Sequence, residues 1–270
     1  MEVKTFKLAD LIGHPRKPET NNVIEEGLLK DNSIMVVGGA PKSYKSFVSN
    51  TIAIDLVIAR NLFGVVRINH GRPEQGFVIP HPQRVLVLEQ EVGEDDLEDR
   101  IRPLYDSLTP EQQELAKENL FTHSLDHTLQ LDKPDGVKAI EKIIIAVKPT
   151  VVIFDPLIEF HTSNENDTQA MTKILRNIDS LREKHRFATI INHHEGKPNA
   201  EAPRTGGDRL RGSSAVFGKG DSFLTLKVVN RPAAIIEIEF TIRRGRPIRN
   251  IILQLDPITQ RAVFKEWKKN

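Results

Sequence analysis

The 270-residue chain contains no cysteine. That absence removes a disulfide framework, a thiolate zinc site and a cysteine nucleophile together. An excess of one charge is lacking as well. Lys+Arg total 38 against 37 Asp+Glu, a formal charge of +1, so any nucleic-acid contact has to come from a local basic patch and not from the overall field. No apolar run is long enough to span a bilayer, and residues 1–10 alternate charge with lone hydrophobes, which is not a signal-peptide pattern. The expectation is a soluble, cytoplasmic protein with no membrane partner. Internal repeats and a domain linker are missing too. With 39% apolar residues, enough to bury a full core, residues 1–270 are expected to form one α/β domain, with residues 1–30 as a leader packed on its edge.

What is present is organised around residues 34–50, an apolar strand that runs through a small glycine-bearing loop into a helical pattern. Gly39, Lys45 and Ser46 stand at the GxxxxGK[ST] spacing. That spacing directs backbone N–H groups at an anion on a helix N-terminus, with a lysine for the outer phosphates and a hydroxyl for Mg²⁺. The second glycine is replaced by Tyr44, and tyrosine is strained if the position requires positive φ. By itself the window also suits a strand–turn–helix junction with two surface lysines.

The rest of the chain supplies an order. Arg84-Val-Leu-Val-Leu88 and Thr150-Val-Val-Ile-Phe-Asp155 carry runs of successive hydrophobes without alternation, as parallel strands covered on both faces do. The first is followed by Glu89 and Glu91, where doubly wound sheets hold their ligands. The second ends in Asp155, suited to orienting a metal-bound water. Phe187-Ala-Thr-Ile-Ile-Asn-His-His194 ends in two histidines with no further ligand at metal spacing. A polar residue at that tip, His193 above all, suits contact with a γ-phosphate. Short strands are also expected at residues 65–68, 76–79, 120–123 and 129–131. The helices expected are 47–60, one running from about 91 to 104, 111–119, 135–147 and 168–186, and a short helix follows Ser213-Ser214.

Residues 195–212 lack hydrophobic periodicity and are rich in Gly, Pro and basic residues, the signature of a long mobile loop. Lys197, Arg204, Arg209 and Arg211 in it are suited to meeting phosphates, and a solvated loop explains the same composition equally. Strands at about 221–229, 234–242, 251–255 and 262–264 then make a C-terminal β-meander, with an arginine-rich turn at 243–249.

Taken together, these residues resemble the RecA-like ATPase domain of the DnaB/KaiC/RepA group, especially the stand-alone AAA domain branch related to plasmid RepA replicative helicases. The loop Gly39-Ala40-Pro41-Lys42-Ser43-Tyr44-Lys45-Ser46, leading into Phe47, is similar to the Gly-x-Pro-Lys-x-x-Lys-Ser form of that branch. Glu91-Val-Gly-Glu-Asp-Asp-Leu-Glu-Asp-Arg100 is similar to Glu-x-Ser-x-Glu-x-Leu-x-x-Arg of replicative helicases, and Ile191–Lys197 with Arg211-Gly-Ser-Ser-Ala215 resembles their His-His…Arg-Gly-Ser-Ser stretch before the late strand.

The resemblance implies a RecA-like P-loop NTPase fold, with a mostly parallel central sheet flanked by helices. It implies ATP and Mg²⁺ as cofactors, Ser46 and Asp155 as metal ligands, and Glu91 as catalytic base with Glu89 as runner-up. Lys45 and His193 would contact phosphate, and Arg243, seconded by Arg244, would act as a finger in trans in place of the family's Lys-x-Arg. The partners implied are further copies of the chain, as a ring or filament with nucleotide at the interfaces, and single-stranded DNA. A helicase-like motor, a regulator that binds ATP without translocating, and a repair ATPase forming filaments on DNA all remain open.

Overall fold

The computed structural model describes residues 22–65, 76–195, 214–243 and 245–269. The chain enters through a small antiparallel pair, β1 (Asn22–Ile24) and β2 (Leu29–Lys30), and continues into β3 (Ile34–Gly39), helix α1 (Lys45–Val57) and β4 (Val85–Glu89). Next come α2 (Glu94–Asp106), α3 (Pro110–Asn119), β5 (Leu120–Ser124), α4 (Pro134–Val147), β6 (Val151–Asp155), α5 (Thr168–His185) and β7 (Ala188–His194). The last stretch holds α6 (Ser214–Lys219), β8 (Ser222–Asn230), β9 (Ile235–Ile242), β10 (Ile251–Leu255) and β11 (Ala262–Trp267).

Nine strands form one sheet in the order β11-β10-β9-β8-β3-β7-β6-β4-β5. From β8 to β5 every pairing is parallel, because crossover segments carry the chain back between these strands. From β8 to β11 the pairings are antiparallel, since short turns join the strands directly. This is the α/β architecture of a P-loop NTPase, with the expected meander at its C-terminal end.

The sheet is covered on both faces, which explains the unbroken apolar strands. Val85 and Val87 of β4 pack with α1, Leu104 and Ala116 on one face, while Leu86 and Leu88 pack with Ile140, Ile174 and Ile178 on the other. The same alternation holds in β6, where Val151 and Ile153 face α1 and Val152 and Phe154 face α5. Helix ends follow local chemistry. Thr109 and Gln112 close a capping box at α3, which opens on Pro110. Asp167 accepts from the amides of Gln169 and Ala170 at the start of α5.

Two expected strands differ. Residues 129–131 pack as a turn, Leu129 and Leu131 buried and the Leu131 amide bonded to the Phe160 carbonyl at 2.6 Å. One such bond does not extend a ladder. Residues 76–79 run irregularly with Phe77 and Ile79 buried, ahead of Pro80 and Pro82, which have no N–H to give a sheet. Of residues 65–68, those from 66 onward lie outside the described residues, as do residues 1–21 of the expected leader and 196–212 of the expected loop.

Helix α1 is buried almost all round, so it has core on every side and is fixed from several directions. Its fully buried Asp55 meets Arg60 at 2.7 Å and Arg261, ahead of β11, at 3.1 Å, and accepts the Phe63 amide at 2.9 Å. Burial pushes the Asp55 pKa up, and the two guanidiniums pull against that shift. Thr51 in the same helix accepts the Ala262 amide at 2.9 Å, so the C-terminal hairpin is fastened to α1. Removing Asp55 strands two half-buried cations. Asp55→Ala should therefore lower unfolding stability by about 3 kcal/mol in urea titrations, whereas Asp135→Ala, at the exposed start of α4, should leave the midpoint unchanged.

Candidate active site

The C-terminal tips of β3, β4, β6 and β7 lie side by side, and helix α1 begins beneath them. The turn from β3 into α1 is tight because Gly39 leaves space. A Cβ on Gly39 would stand 2.5 Å from Ser43 Oγ and 3.1 Å from Leu226. Ser43 is buried, and among the described residues its hydroxyl has no hydrogen-bond partner, which suits it to donate to an anion held by the loop. Ala40, Pro41 and Lys42 are exposed.

Lys45, the first residue of α1, is only 7% exposed. Its ammonium donates to the Gly39 and Ala40 carbonyls, both at 3.0 Å, so it curls back into its own loop. Burial lowers its pKa, opposed by the charges of Asp155, Glu91 and Glu195. Burial pushes the Asp155 pKa up at the tip of β6, Glu91 adds to that push, and the nearby side chains of Asn192 on β7 and of Ser46 oppose it. Among the described residues the Asn192 side-chain amide nitrogen has no hydrogen-bond partner of its own. Ser49 anchors that same Asn192, donating to its Oδ1 at 2.6 Å. Phe47 packs half-buried against the core.

The two glutamates differ. Glu89 pairs with Asp155 across β4 and β6, is 2% exposed, and accepts the Glu91 amide at 2.7 Å and the Val92 amide at 3.3 Å. Burial, then the adjacent Asp155, pushes its pKa up to about 8. Glu91 is exposed, yet close enough to act on both Lys45 and Asp155. The site thus gathers an anion cradle, one buried cation, and a hydroxyl–carboxylate pair of the hard oxygen type that Mg²⁺ takes. Its two further carboxylates stand in different environments. Among the described residues no group of three His, Cys, Asp or Glu side chains is arranged to hold a metal alone.

A family model described as an AAA domain (AAA_25) matches residues 2–200. The chain belongs to the AAA domain family. Its members are P-loop ATPases that bind nucleotide, usually with Mg²⁺, and the matched residues in this AAA domain carry the cradle and all four strand tips. No curated protein matches the chain in sequence. Among the described residues no helix is long and apolar enough to cross a membrane.

The remaining expected residues of the AAA domain are scattered. His193 is 1% exposed and stands 3.8 Å from Glu165. By strand parity it falls on the α5 face, while Asn192 shares the α1 face with Asp155 and Glu89. Arg243 lies at the other end of the sheet. Its amide bonds to Asp221, beside the start of β8, and its guanidinium donates to the Phe217 and Gly218 carbonyls at 2.9 and 2.8 Å. Lys197, Arg204, Arg209, Arg211 and Arg244 lie outside the described residues. Asn192 and Arg231, discussed below, were not anticipated from the sequence. Parity along β7, with Ile190 and Asn192 on one face, was the available signal for the first.

The Glu89 shift makes a signed prediction. A carboxyl with a folded-state pKa near 8 and an unfolded value near 4.5 favours folding in its protonated form. Its share of stability is full below pH 4.5 and is lost as pH rises towards 8. Glu89→Gln, which mimics the protonated acid, should match the parent at pH 4.5 in metal-free unfolding experiments. It should exceed the parent by on the order of 2 kcal/mol at pH 7, and a pH-independent difference would contradict the assignment.

Proposed function

We propose that the chain is a Mg²⁺-dependent ATPase that works as a homo-oligomer on single-stranded DNA. The observation that carries the ATPase reading is the buried Lys45 ammonium in the same loop as a Ser43 hydroxyl that has no partner among the described residues, with Gly39 packed closely against Ser43 and Leu226. In this reading the amides of residues 40–46 and the N-terminus of α1 bind the phosphates. Lys45 exchanges its two loop carbonyls for the β- and γ-phosphate oxygens.

Ser46 and Asp155 would hold the Mg²⁺ ion, which supplies charge neutralisation across the β- and γ-phosphates. Glu91, exposed beside Lys45, orients a water and takes its proton as the water oxygen bonds to the γ-phosphorus and the bond to the bridging oxygen breaks, giving ADP and phosphate. Glu89, buried at the tip of β4, accepts the Glu91 and Val92 amides and so braces the Glu91 backbone. Asn192, fixed by Ser49, stands on the same sheet face as Asp155 and leaves its amide nitrogen available to the site.

Support for the nucleic-acid and assembly parts comes from the likeness of residues 91–100 to the replicative-helicase segment and from the cations of residues 197–211. Within its own chain Arg243 serves the end of α6, so a finger role for it applies only to a neighbouring copy.

Lys45→Ala should abolish ATP binding and turnover. Glu91→Gln should retain binding and lose at least about 100-fold in kcat, with a smaller loss for Glu89→Gln; full turnover in Glu91→Gln would remove Glu91 from the mechanism. Neutralising Arg204, Arg209 and Arg211 together should weaken single-stranded DNA binding and flatten its salt dependence. Hydrolysis unaffected by single strands, with ATP-driven assembly intact, would instead identify a regulator.

A further inference from the structure

The turn between β8 and β9 reaches over the phosphate loop. Gly39, the last residue of β3, pairs with Leu226 of β8, and β8 continues to Asn230, so the turn projects past the end of β3. There two hydrogen bonds join turn and loop in both directions. Tyr44 Oη donates to the Arg231 carbonyl at 3.1 Å, and Arg231 Nη1 donates to the Lys42 carbonyl at 3.0 Å.

The loop residues tethered in this way are the ones whose backbone needs holding. Lys42 has φ 60 and Tyr44 φ 68, both in the left-handed region that side chains disfavour. Position 44 is where the GxxxxGK[ST] pattern has a glycine, which adopts that conformation at no steric cost. The Tyr44 ring also meets the Phe47 ring edge-on, centroids 6.3 Å apart.

We infer that Arg231 is a positioning residue for nucleotide binding, strapping Lys42 and Tyr44 into the left-handed backbone that keeps the loop amides converged on the phosphates. The strap does for this loop what the second glycine does in the common pattern. Tyrosine at position 44 and arginine in the β8–β9 turn are then a matched pair, and the shape of the phosphate loop depends on a turn nearly 190 residues away. The inference rests on the reading of residues 39–46 as a nucleotide site.

The test is a double-mutant cycle read by ADP titration with Mg²⁺ and by steady-state ATP hydrolysis, with Lys45→Ala as the reference for a broken site. Arg231→Ala should weaken ADP binding and raise KM for ATP about 5- to 10-fold, with kcat within about twofold of the parent. Arg231→Lys, with a donor but no fork, should recover part of the loss, and Tyr44→Phe should show a smaller loss of the same kind. In a Lys42→Gly background the effect of Arg231→Ala should fall below about twofold, because glycine holds the left-handed conformation at that position unaided.

Equal losses in both backgrounds, unchanged affinity in Arg231→Ala, or a fall in kcat at unchanged affinity would each overturn the inference. If the parent protein binds ADP no better than Lys45→Ala, the nucleotide-site reading itself fails. A failure confined to the cycle leaves that reading standing.

Discussion

A buried ammonium group at the start of helix α1 sets the terms for what surrounds it. Lys45 has lost most of its water, and an unpaired cation in that state is costly. Two carbonyls of its own loop and the nearby charges of Asp155, Glu91 and Glu195 compensate it. Each of those acids sits at or beyond the C-terminal end of a parallel strand, so the sheet order decides which charges the lysine meets. The compensation is also exchangeable, since phosphate oxygens are stronger acceptors for an ammonium than neutral carbonyls.

For the lysine to stay in place, α1 must not move, and its surroundings explain why it does not. The helix is enclosed by the sheet and by α2 and α3 on one face of the core. Asp55, held by Arg60 and Arg261, together with the bond from Ala262 to Thr51, fastens the C-terminal strands to the same helix. The meander therefore braces the phosphate-binding helix as well as extending the sheet. The β8–β9 turn adds a second brace at the loop end through Arg231.

Much of this was legible in the sequence because hydrophobic runs and their tips carry it. Continuous apolar strands ending in Gly39, Glu89, Asp155 and His194 gave the parallel sheet and the order of its ends, and the meander strands emerged within a few residues of their expected bounds. Side-chain direction was harder to read. Choosing between His193 and Asn192 requires strand parity counted against a known face, and the contrast between Glu89 and Glu91 arises from burial of a strand tip that motif spacing does not encode. Distance along the meander was the third gap: β9 runs opposite to β8, so Arg243 falls roughly 20 Å from Gly39, opposite Asp221, while Arg231, before β9, lies against the phosphate loop. Tyr44 departs from the glycine pattern, and its compensation comes from a residue too distant in sequence for any local pattern to reveal.

Nucleotide binding in this site requires Lys45 to leave its own loop carbonyls for phosphate oxygens. A crystal structure with Mg²⁺ and a non-hydrolysable ATP analogue tests this directly. It should show the phosphates within residues 39–46 and Lys45 Nζ at hydrogen-bond distance from their oxygens, with the Gly39 and Ala40 carbonyls released. A nucleotide bound elsewhere, or a Lys45 ammonium still bonded to those two carbonyls in the complex, would contradict it.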